Sequence, residues 1–222
     1  MGRDSVETDA EGPTTLVICC GALAREIVGI VKDNGWDHIR VECLPAKLHN
    51  SPETLPEGVR AKIKAGREKF DHIIVLYSDC GTGGLMESML MEEGVEGIGG
   101  AHCYEVFTGR DRFKDIIDAE PGCFFLTDFL ARNFEKLVFK GLGLDRFPKL
   151  RDTYFAHYKK MVYLAQTEND ELVAYAERAA ASVDLAFELR HTGVGGFESF
   201  LANATKRYVV EVPQAAAGEG DA

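Results

Sequence analysis

Short apolar runs alternate with longer amphipathic stretches along most of the chain. The apolar runs have the length expected of buried strands. The predicted strands are Thr15–Cys20, His38–Leu44, His72–Tyr77, Gly97–Cys103, Cys123–Leu126, Lys159–Ala165 and Leu185–Leu189. Apolar residues at helical spacing predict helices between them, over Ala22–Asp33, Glu57–Phe70, Leu85–Glu93, Arg110–Ala119, Asp128–Phe139 and Asp170–Val183.

Strands that alternate with helices are joined by right-handed crossovers, which place helices on both faces of a parallel sheet. The pattern therefore predicts an α/β protein with a single Rossmann-like, doubly wound, mostly parallel sheet. We expect a single α/β domain over residues 14–212. Residues 1–13 are mostly polar and acidic, and residues 213–222 contain no large apolar side chain, so we expect both ends to be disordered.

The composition narrows the classes of partner. The chain has 222 residues, 45% of them hydrophobic, and a formal net charge of −11. This charge repels phosphate backbones and anionic lipid surfaces, so nucleic acid and membranes are not expected as partners. The N-terminus lacks the apolar core of a signal peptide, which predicts a cytoplasmic location. In that reducing compartment the six cysteines are expected to be thiols, metal ligands or catalytic groups rather than disulfides.

Cysteines and histidines stand where several predicted strands end. Cys20 ends the first strand, Cys80 follows the third, His102 and Cys103 end the fourth, and His49 lies in the loop after the second. The carboxyl ends of parallel strands share one edge of a sheet, where ligands bind. We therefore predict that these side chains converge in one site. The other cysteines lie inside apolar runs and are expected to pack in the core: Cys19, Cys43 and Cys123.

This set of side chains suggests a metal centre. Zn²⁺ accepts two or three thiolates plus an imidazole, so Cys20, Cys80 and Cys103 are predicted ligands, with His49 or His102 as the fourth. Three thiolates could alternatively hold an iron–sulfur cluster with one open iron. A metal-free alternative is a nucleophilic Cys80 thiolate at a helix N-terminus, with either histidine as its base.

A glycine-rich turn lies between the third strand and the following helix. In its sequence, Asp79-Cys80-Gly81-Thr82-Gly83-Gly84, backbone N–H groups can approach an anion. We therefore predict that residues Gly81, Thr82, Gly83 and Gly84 bind an anionic group of the substrate, with a plain tight turn as the alternative. The turn has neither the Lys-Ser/Thr of a P-loop nor the pattern of a dinucleotide site.

Two carboxylates are candidates for proton transfer or for orienting a ligand histidine. Glu26 lies on the first predicted helix, within two turns of Cys20, and Glu105 follows His102 by three residues. An ordinary surface ion pair is the alternative role for Glu26.

Seven segments carry a resemblance to a known family. They are Cys20-Gly21-Ala22-Leu23-Ala24-Arg25-Glu26-Ile27, Leu48-His49-Asn50, Asp79-Cys80-Gly81-Thr82-Gly83-Gly84, His102-Cys103-Tyr104-Glu105, Phe125-Leu126-Thr127-Asp128-Phe129-Leu130, Gly141-Leu142-Gly143-Leu144-Asp145 and Val162-Tyr163-Leu164-Ala165-Gln166. In these segments the chain resembles the bacterial and archaeal DUF1638 family, over nearly all of residues 16–195. The resemblance implies gene neighbourhoods for corrinoid-dependent demethylation of methylated amines and betaines, and hence one-carbon metabolism. It transfers no catalytic residues.

The expected function is therefore a metal-binding enzyme or accessory factor in corrinoid-linked methyl or amine one-carbon metabolism. The expected partners are a small anionic or methylated-amine-related substrate and a corrinoid protein or methyltransferase. Two alternatives stay open. One is a metal-free cysteine-nucleophile enzyme, and the other is a non-catalytic chaperone that docks on a corrinoid methyltransferase through the aromatic segment Phe147–Tyr163.

Overall fold

A computed structural model describes residues 14–209, with side chains described through residue 206. The expectations for residues 1–13 and 213–222 lie outside this range. Within it, seven strands are present, each parallel to its neighbours. They are β1 (Thr15–Cys20), β2 (Ile39–Leu44), β3 (His72–Leu76), β4 (Glu96–Gly97), β5 (Cys123–Leu126), β6 (Lys160–Ala165) and β7 (Ala186–His191).

The strands form two parallel sheets, where the sequence predicted one. Sheet A has the order β2-β1-β3-β4, and sheet B has the order β5-β6-β7. The predicted α/β class with parallel strands is confirmed. The division into two sheets is a difference in pairing, because β5 pairs with β6 and with no strand of sheet A.

Helices follow most strands, as expected for crossover connections. They are α1 (Ala24–Asp33), α2 (Leu55–Gly66), α3 (Leu85–Glu93), α4 (Cys103–Thr108), α5 (Arg110–Ala119), α6 (Asp128–Phe134), α7 (Leu150–Tyr154), α8 (Asp170–Ser182) and α9 (Gly196–Val209). A π-helical segment, Glu135–Phe139, continues α6. Helices α4, α7 and α9 were not predicted, and α2 ends at Gly66, four residues before its predicted end.

Strand β1 lies in the centre of sheet A and is buried along its whole length. Its side chains are apolar in a continuous run, without alternating polar positions, because other elements cover both faces of the strand. Leu16, Val17 and Ile18 are each no more than 1% exposed. Burial of such side chains contributes about 1.5–3 kcal/mol each to stability. The end of β1 is thereby held in a fixed position.

The fourth predicted strand, Gly97–Cys103, is wrong in its extent. Strand β4 ends at Gly97, because Gly99 and Gly100 take positive φ angles of 69° and 83°, which a strand cannot accommodate. The loop nevertheless stays beside β3's extension: the Cys80 N–H donates to the Ala101 carbonyl at 2.9 Å. The residues after the loop therefore still reach the carboxyl edge of sheet A.

Helix α9 returns from sheet B to sheet A. It follows β7 in the chain but packs against α1, α4 and β3. Phe197 and Leu201 of α9 are buried in the same core as sheet A, and the Phe197 ring meets the Phe107 ring edge-on at 5.0 Å. Part of the sheet A core is thus supplied by the last described helix.

Asp128 organises the carboxyl edge of sheet B. Its carboxylate is fully buried and accepts hydrogen bonds from the Tyr163 hydroxyl (2.7 Å), the Gln166 N–H (2.9 Å) and the Thr167 hydroxyl. Arg132, one turn along α6, lies 3.4 Å away. Buried carboxylates are stable when paired and hydrogen-bonded in this way. Asp128 therefore joins α6 to the end of β6.

No helix in the described part of the chain combines the length and apolarity that a bilayer crossing requires.

Candidate thiol and imidazole centre

Cys20 is the last residue of β1 and is 4% exposed. Its sulfur accepts a hydrogen bond from the Ala22 N–H at 3.3 Å, so it caps the short 3₁₀ turn that leads into α1. Successive residues of a strand point to opposite faces. The side chains of Cys20 and Cys19 therefore lie on opposite faces of β1. Only Cys20 belongs to the centre described next.

His49 lies in the 3₁₀ turn Ala46–Asn50, which follows β2. Its Nδ1 lies 3.8 Å from the Cys20 sulfur and 3.2 Å from the Ala46 carbonyl oxygen. The imidazole stacks on the Tyr77 ring, with a centroid distance of 6.4 Å. A backbone carbonyl beside one ring nitrogen is a common way to orient a histidine ligand.

Cys80 follows β3 and takes a left-handed conformation, with φ of 49°. This conformation costs a non-glycine residue about 1–2 kcal/mol. The surrounding turn offsets the cost, because the Asp79 and Cys80 N–H groups both bond to the 100–101 loop at 2.9 Å. Strain held in place by its surroundings is common at functional sites.

His102 and Cys103 begin helix α4. His102 is the N-cap residue, and its Nδ1 accepts the Tyr104 N–H at 3.4 Å. The Cys103 sulfur lies 3.4 Å from the same Nδ1. The Tyr104 ring packs on the His102 ring at 3.9 Å and on Phe125 of sheet B at 5.3 Å. The centre therefore lies where sheet A meets sheet B.

The side chains of this centre surround a cavity of about 30 Å³. A cavity of this size holds one or two water-sized groups. Its lining residues are Cys20, Ala22, Leu23, His49, Leu76, Tyr77, Ser78, Cys80, Cys103 and Phe197. His49 lines the cavity and His102 does not, which favours His49 as the fourth predicted ligand. We call the group Cys20, His49, Cys80 and Cys103 the thiol–imidazole centre.

Two hydroxyl groups at this cavity have no hydrogen-bond partner. The Tyr77 hydroxyl and the Ser78 hydroxyl are both buried and unpaired, and both residues line the cavity. An unsatisfied buried hydroxyl costs about 1–3 kcal/mol. Two of them on residues that line one small cavity make it a candidate site for a polar group.

The pKa shifts in the centre favour the charged form of two side chains and the neutral form of two others. Hydrogen bonding from Cys103, with His49 and His102 nearby, holds the pKa of Cys80 well below that of an ordinary thiol. Hydrogen bonding to Cys20 and Cys80 raises the pKa of His49 to about 10. The pKa of Cys103 is raised by Cys80 and by burial, and burial lowers the pKa of His102. These directions favour a thiolate at Cys80 and a protonated imidazole at His49.

The predicted anion cradle is filled by the protein's own carboxylate. Asp79 accepts hydrogen bonds from the Thr82 hydroxyl at 2.6 Å, the Gly84 N–H at 2.7 Å and the Gly83 N–H at 3.1 Å. These bonds lower the pKa of Asp79. Substrate binding at Gly81, Thr82, Gly83 and Gly84 stays a prediction, and an external anion would have to displace this carboxylate.

The two candidate carboxylates stand outside the cavity. Glu105 accepts the Ala101 N–H and the Arg110 Nε, both at 2.9 Å, and so fixes the loop before α4. Glu26 has a buried Oε2 without a hydrogen-bond partner, and burial raises its pKa, with Asp128 contributing. Their catalytic roles stay predictions.

Sequence reasoning did not identify Tyr77, Ser78 and Phe197 as part of the site. Tyr77 and Ser78 directly precede Asp79, so polar groups that end an apolar strand were the available signal. For Phe197 there was no signal, since its helix was not predicted and its contact with the centre is long-range.

The donor atoms do not yet surround one point. Across the described residues, no three Cys, His, Asp or Glu side chains are already placed to hold a metal ion. The four members of the centre supply three thiols and one imidazole, and metal binding requires the thiols to lose protons and to rotate towards a common position.

Comparisons with known proteins identify the family to which the chain belongs. No curated protein matches the chain significantly. A similar solved structure is an ornithine carbamoyltransferase from Pyrococcus furiosus, at 14% sequence identity and a TM-score of 0.24, with the match covering 82% of this chain and 55% of that one. A family model described as a protein of unknown function, DUF1638, matches residues 43–201, which include His49, Cys80 and Cys103. The chain belongs to the DUF1638 family.

Proposed function

We propose that the protein binds one zinc ion through Cys20, His49, Cys80 and Cys103, and that it is an enzyme or accessory factor in corrinoid-linked methyl or amine metabolism. The main support for metal binding is that these four side chains line one small cavity. They come from four separate segments of the chain at one sheet edge: the end of β1, the turn after β2, the turn after β3 and the start of α4. Three thiolates and an imidazole are a donor set that zinc accepts.

The size of the cavity supports zinc over the iron–sulfur alternative. About 30 Å³ leaves room for one ion and a small group. A cluster of several iron and sulfide ions is larger, and a four-iron cluster commonly has four cysteine ligands. The centre has three cysteines, and a cluster would require its walls to move apart.

The unpaired hydroxyls support a polar occupant beside the metal. Tyr77 and Ser78 can each hydrogen-bond a water molecule or a substrate atom that enters the cavity. When bound, zinc in a cysteine-rich site can activate a thiol or a water molecule. In this arrangement the two hydroxyls orient the entering group and His49 is held by the Ala46 carbonyl.

Room for a substrate exists next to the centre. A cavity of about 650 Å³ is bordered by Tyr77, Asp79, Gly99, Gly100 and Arg110, together with side chains of α3. Tyr77 borders both cavities. Small-molecule sites have volumes in this range. We propose that the small anionic or methylated-amine-related substrate binds here, beside Tyr77.

Elemental analysis of the full chain, purified without added metal or chelator, tests the proposal. We expect about one zinc per chain. Cys20→Ser, Cys80→Ser and Cys103→Ser should each lower zinc affinity on the order of 100-fold or more, because each removes a ligand. Cys123→Ser is the matched control, since Cys123 is a buried thiol of β5 away from the centre. A folded protein that takes up neither zinc nor iron would refute metal binding.

The lowered pKa of Cys80 favours a second candidate, a metal-free thiolate nucleophile. Cys80 has a strained backbone at a turn between a strand and a helix, and hydrogen bonding to Cys20 and Cys80 raises the pKa of His49, which favours its protonated form. A thiolate–imidazolium pair of this kind is the resting state of many cysteine nucleophiles. In this mechanism His49 would give its proton to the leaving group.

Alkylation by iodoacetamide separates the two candidates. A metal-free nucleophile predicts fast labelling of Cys80 alone, with a half-maximal rate well below pH 8.5, the usual thiol pKa. A zinc centre predicts that Cys20, Cys80 and Cys103 are all protected until a chelator is added. His49→Gln should move the Cys80 profile to higher pH, because it removes the neighbouring cation.

Exposed aromatic side chains support docking on a corrinoid protein or methyltransferase. Phe147, Tyr154 and Tyr158 are 60%, 46% and 38% exposed, whereas Tyr163 is buried and bonded to Asp128. A pull-down from cells grown on methylated amines should recover such a partner, and Phe147→Ser with Tyr154→Ser should lose it. Tyr175→Ser, an exposed tyrosine of α8, is the control. Equal recovery by all variants would contradict this surface.

A further inference from the structure

Two further thiols face each other across the parallel pair β1 and β2. Cys19 and Cys43 are register partners, and their sulfur atoms lie 3.3 Å apart. Cys19 is fully buried, while Cys43 is half-buried. Because side chains alternate along β1, this pair lies on the other face of the strand from Cys20 and is separate from the thiol–imidazole centre.

We propose that Cys19 and Cys43 are a redox-active dithiol, which hydrogen peroxide converts reversibly into a disulfide. The backbone already permits the bond. Neighbouring strands lie about 4.8 Å apart, within the range of about 4.4–6.8 Å that disulfides require between Cα atoms. The sulfur atoms need to approach by only about 1.3 Å, from 3.3 Å to about 2.05 Å. Side-chain rotation can supply this movement without a change of register.

The surroundings make Cys43 the sulfur that reacts first. Hydrogen bonding from the Cys19 thiol lowers the pKa of Cys43, and this effect outweighs burial and the Glu42 carboxylate, which raise it. The Lys62 ammonium makes a smaller contribution in the lowering direction. Lys62 is held over this part of β2 by its 2.6 Å ion pair with Glu42. Cys43 is also the more accessible member of the pair. The thiolate is the reactive form of cysteine. The Cys43 sulfur has both the lower pKa and the greater exposure of the pair, so we expect it to react first.

The reaction proceeds in two balanced steps. The Cys43 thiolate attacks one peroxide oxygen, the O–O bond breaks, and Cys43 sulfenic acid forms while hydroxide leaves and takes up a proton as water. The Cys19 thiol then attacks the sulfenic sulfur. The S–S bond forms, the S–O bond breaks, and a second water carries away the hydroxyl group and the thiol proton. Peroxide is reduced to two waters, and the dithiol is oxidised.

Peptide mapping of the full chain tests this proposal. The protein is treated with hydrogen peroxide, unfolded, alkylated at its remaining thiols and digested with trypsin. We expect a linked pair of peptides containing Cys19 and Cys43, lighter than their sum by two hydrogen atoms, that dithiothreitol separates. Cys19→Ser should abolish the link and leave a Cys43 sulfenic acid that dimedone labels. Cys20→Ser and Cys123→Ser should keep the link.

The tryptic peptide of Cys19 also contains Cys20, so the variants decide which thiol is used. A link that survives in Cys19→Ser and disappears in Cys20→Ser would overturn the proposal. So would a wild-type chain in which peroxide oxidises other cysteines while Cys43 stays free. The map of the wild-type chain needs no variant to fold.

Discussion

Asp79 holds the turn that positions Cys80, so its replacement tests how that turn is built. Asp79→Asn keeps the size of the side chain but replaces charge-assisted bonds to the Thr82 hydroxyl and the Gly83 and Gly84 N–H groups. We expect a loss of about 1–3 kcal/mol in the free energy of unfolding, measured by urea denaturation at neutral pH. Asp71→Asn, at an exposed aspartate before β3, should change stability by less than about 0.5 kcal/mol.

The stability difference between wild type and Asp79→Asn should depend on pH in a defined direction. The hydrogen bonds lower the pKa of Asp79 in the folded protein relative to the unfolded chain. Its contribution is therefore complete above the unfolded value of about 3.9 and is lost as the pH falls through the lower folded value. The stability gap between wild type and Asp79→Asn should be constant near neutral pH and should shrink in acid. Equal stability of both proteins at pH 7 would contradict this role.

Individual residues of the candidate site were predictable where their position relative to a strand end determines their location in the fold. Cys20 and Cys80 follow directly from where β1 and β3 end. The unpaired state of the Tyr77 and Ser78 hydroxyls depends on which atoms fail to approach them in the packed protein. A property of that kind depends on tertiary contacts and leaves no local pattern in the chain.

Gly195 joins β7 to α9 and allows the helix to dock. It takes φ of 54°, and a Cβ there would lie 2.4 Å from the Phe107 carbonyl oxygen. Gly195→Ala should therefore combine left-handed strain with a backbone clash, for a loss of about 2–4 kcal/mol. Gly193→Ala is the matched control, because Gly193 has φ of 59° with nothing within 4 Å of the added carbon.

Differential scanning calorimetry compares the two glycine variants. The control should lose about 1–2 kcal/mol, from backbone strain alone. A Gly195→Ala protein no less stable than Gly193→Ala would show that α9 does not depend on this close approach.

The elements missed by sequence reasoning are those with weak local signals. Helix α4 has six residues, too few to show a helical period. In α9 the buried positions include small alanine side chains, and the helix packs on a surface formed more than eighty residues earlier by Phe107. Helix α1 was found because its apolar spacing and the Asn34-Gly35 end are local features, and α3 was found because Gly84 and Gly94 bound it.

For the whole molecule, zinc should act as a stabilising ligand. A ligand that binds only the folded state adds about 2.7 kcal/mol at a free concentration of 100 times Kd. For a chain of 222 residues this raises the melting temperature by about 5–10 °C relative to chelator-treated protein. Cys20→Ser should lose the shift, and Cys123→Ser should keep it. An unchanged melting temperature with zinc and with iron would contradict the proposed centre.

The division into two sheets could not be read from the chain. Periodicity identifies strands, whereas pairing depends on which edges meet in three dimensions. The convergence of the candidate residues was nevertheless predictable, because it requires only that the first four predicted strands share one carboxyl edge. Strands β1, β2 and β3 do so, and the loop after β4 follows the same edge through its bond to Cys80.

The position of Phe197 has a consequence for biosynthesis. Every member of the thiol–imidazole centre is translated before this residue, yet Phe197 forms part of the cavity wall. While the ribosome is still adding residues 104–196, the three thiols lack this cover. Folding of α9 onto sheet A then completes the cavity wall. If the centre holds a metal ion as proposed, an ion that binds before α9 docks would be covered by Phe197 once that helix has folded.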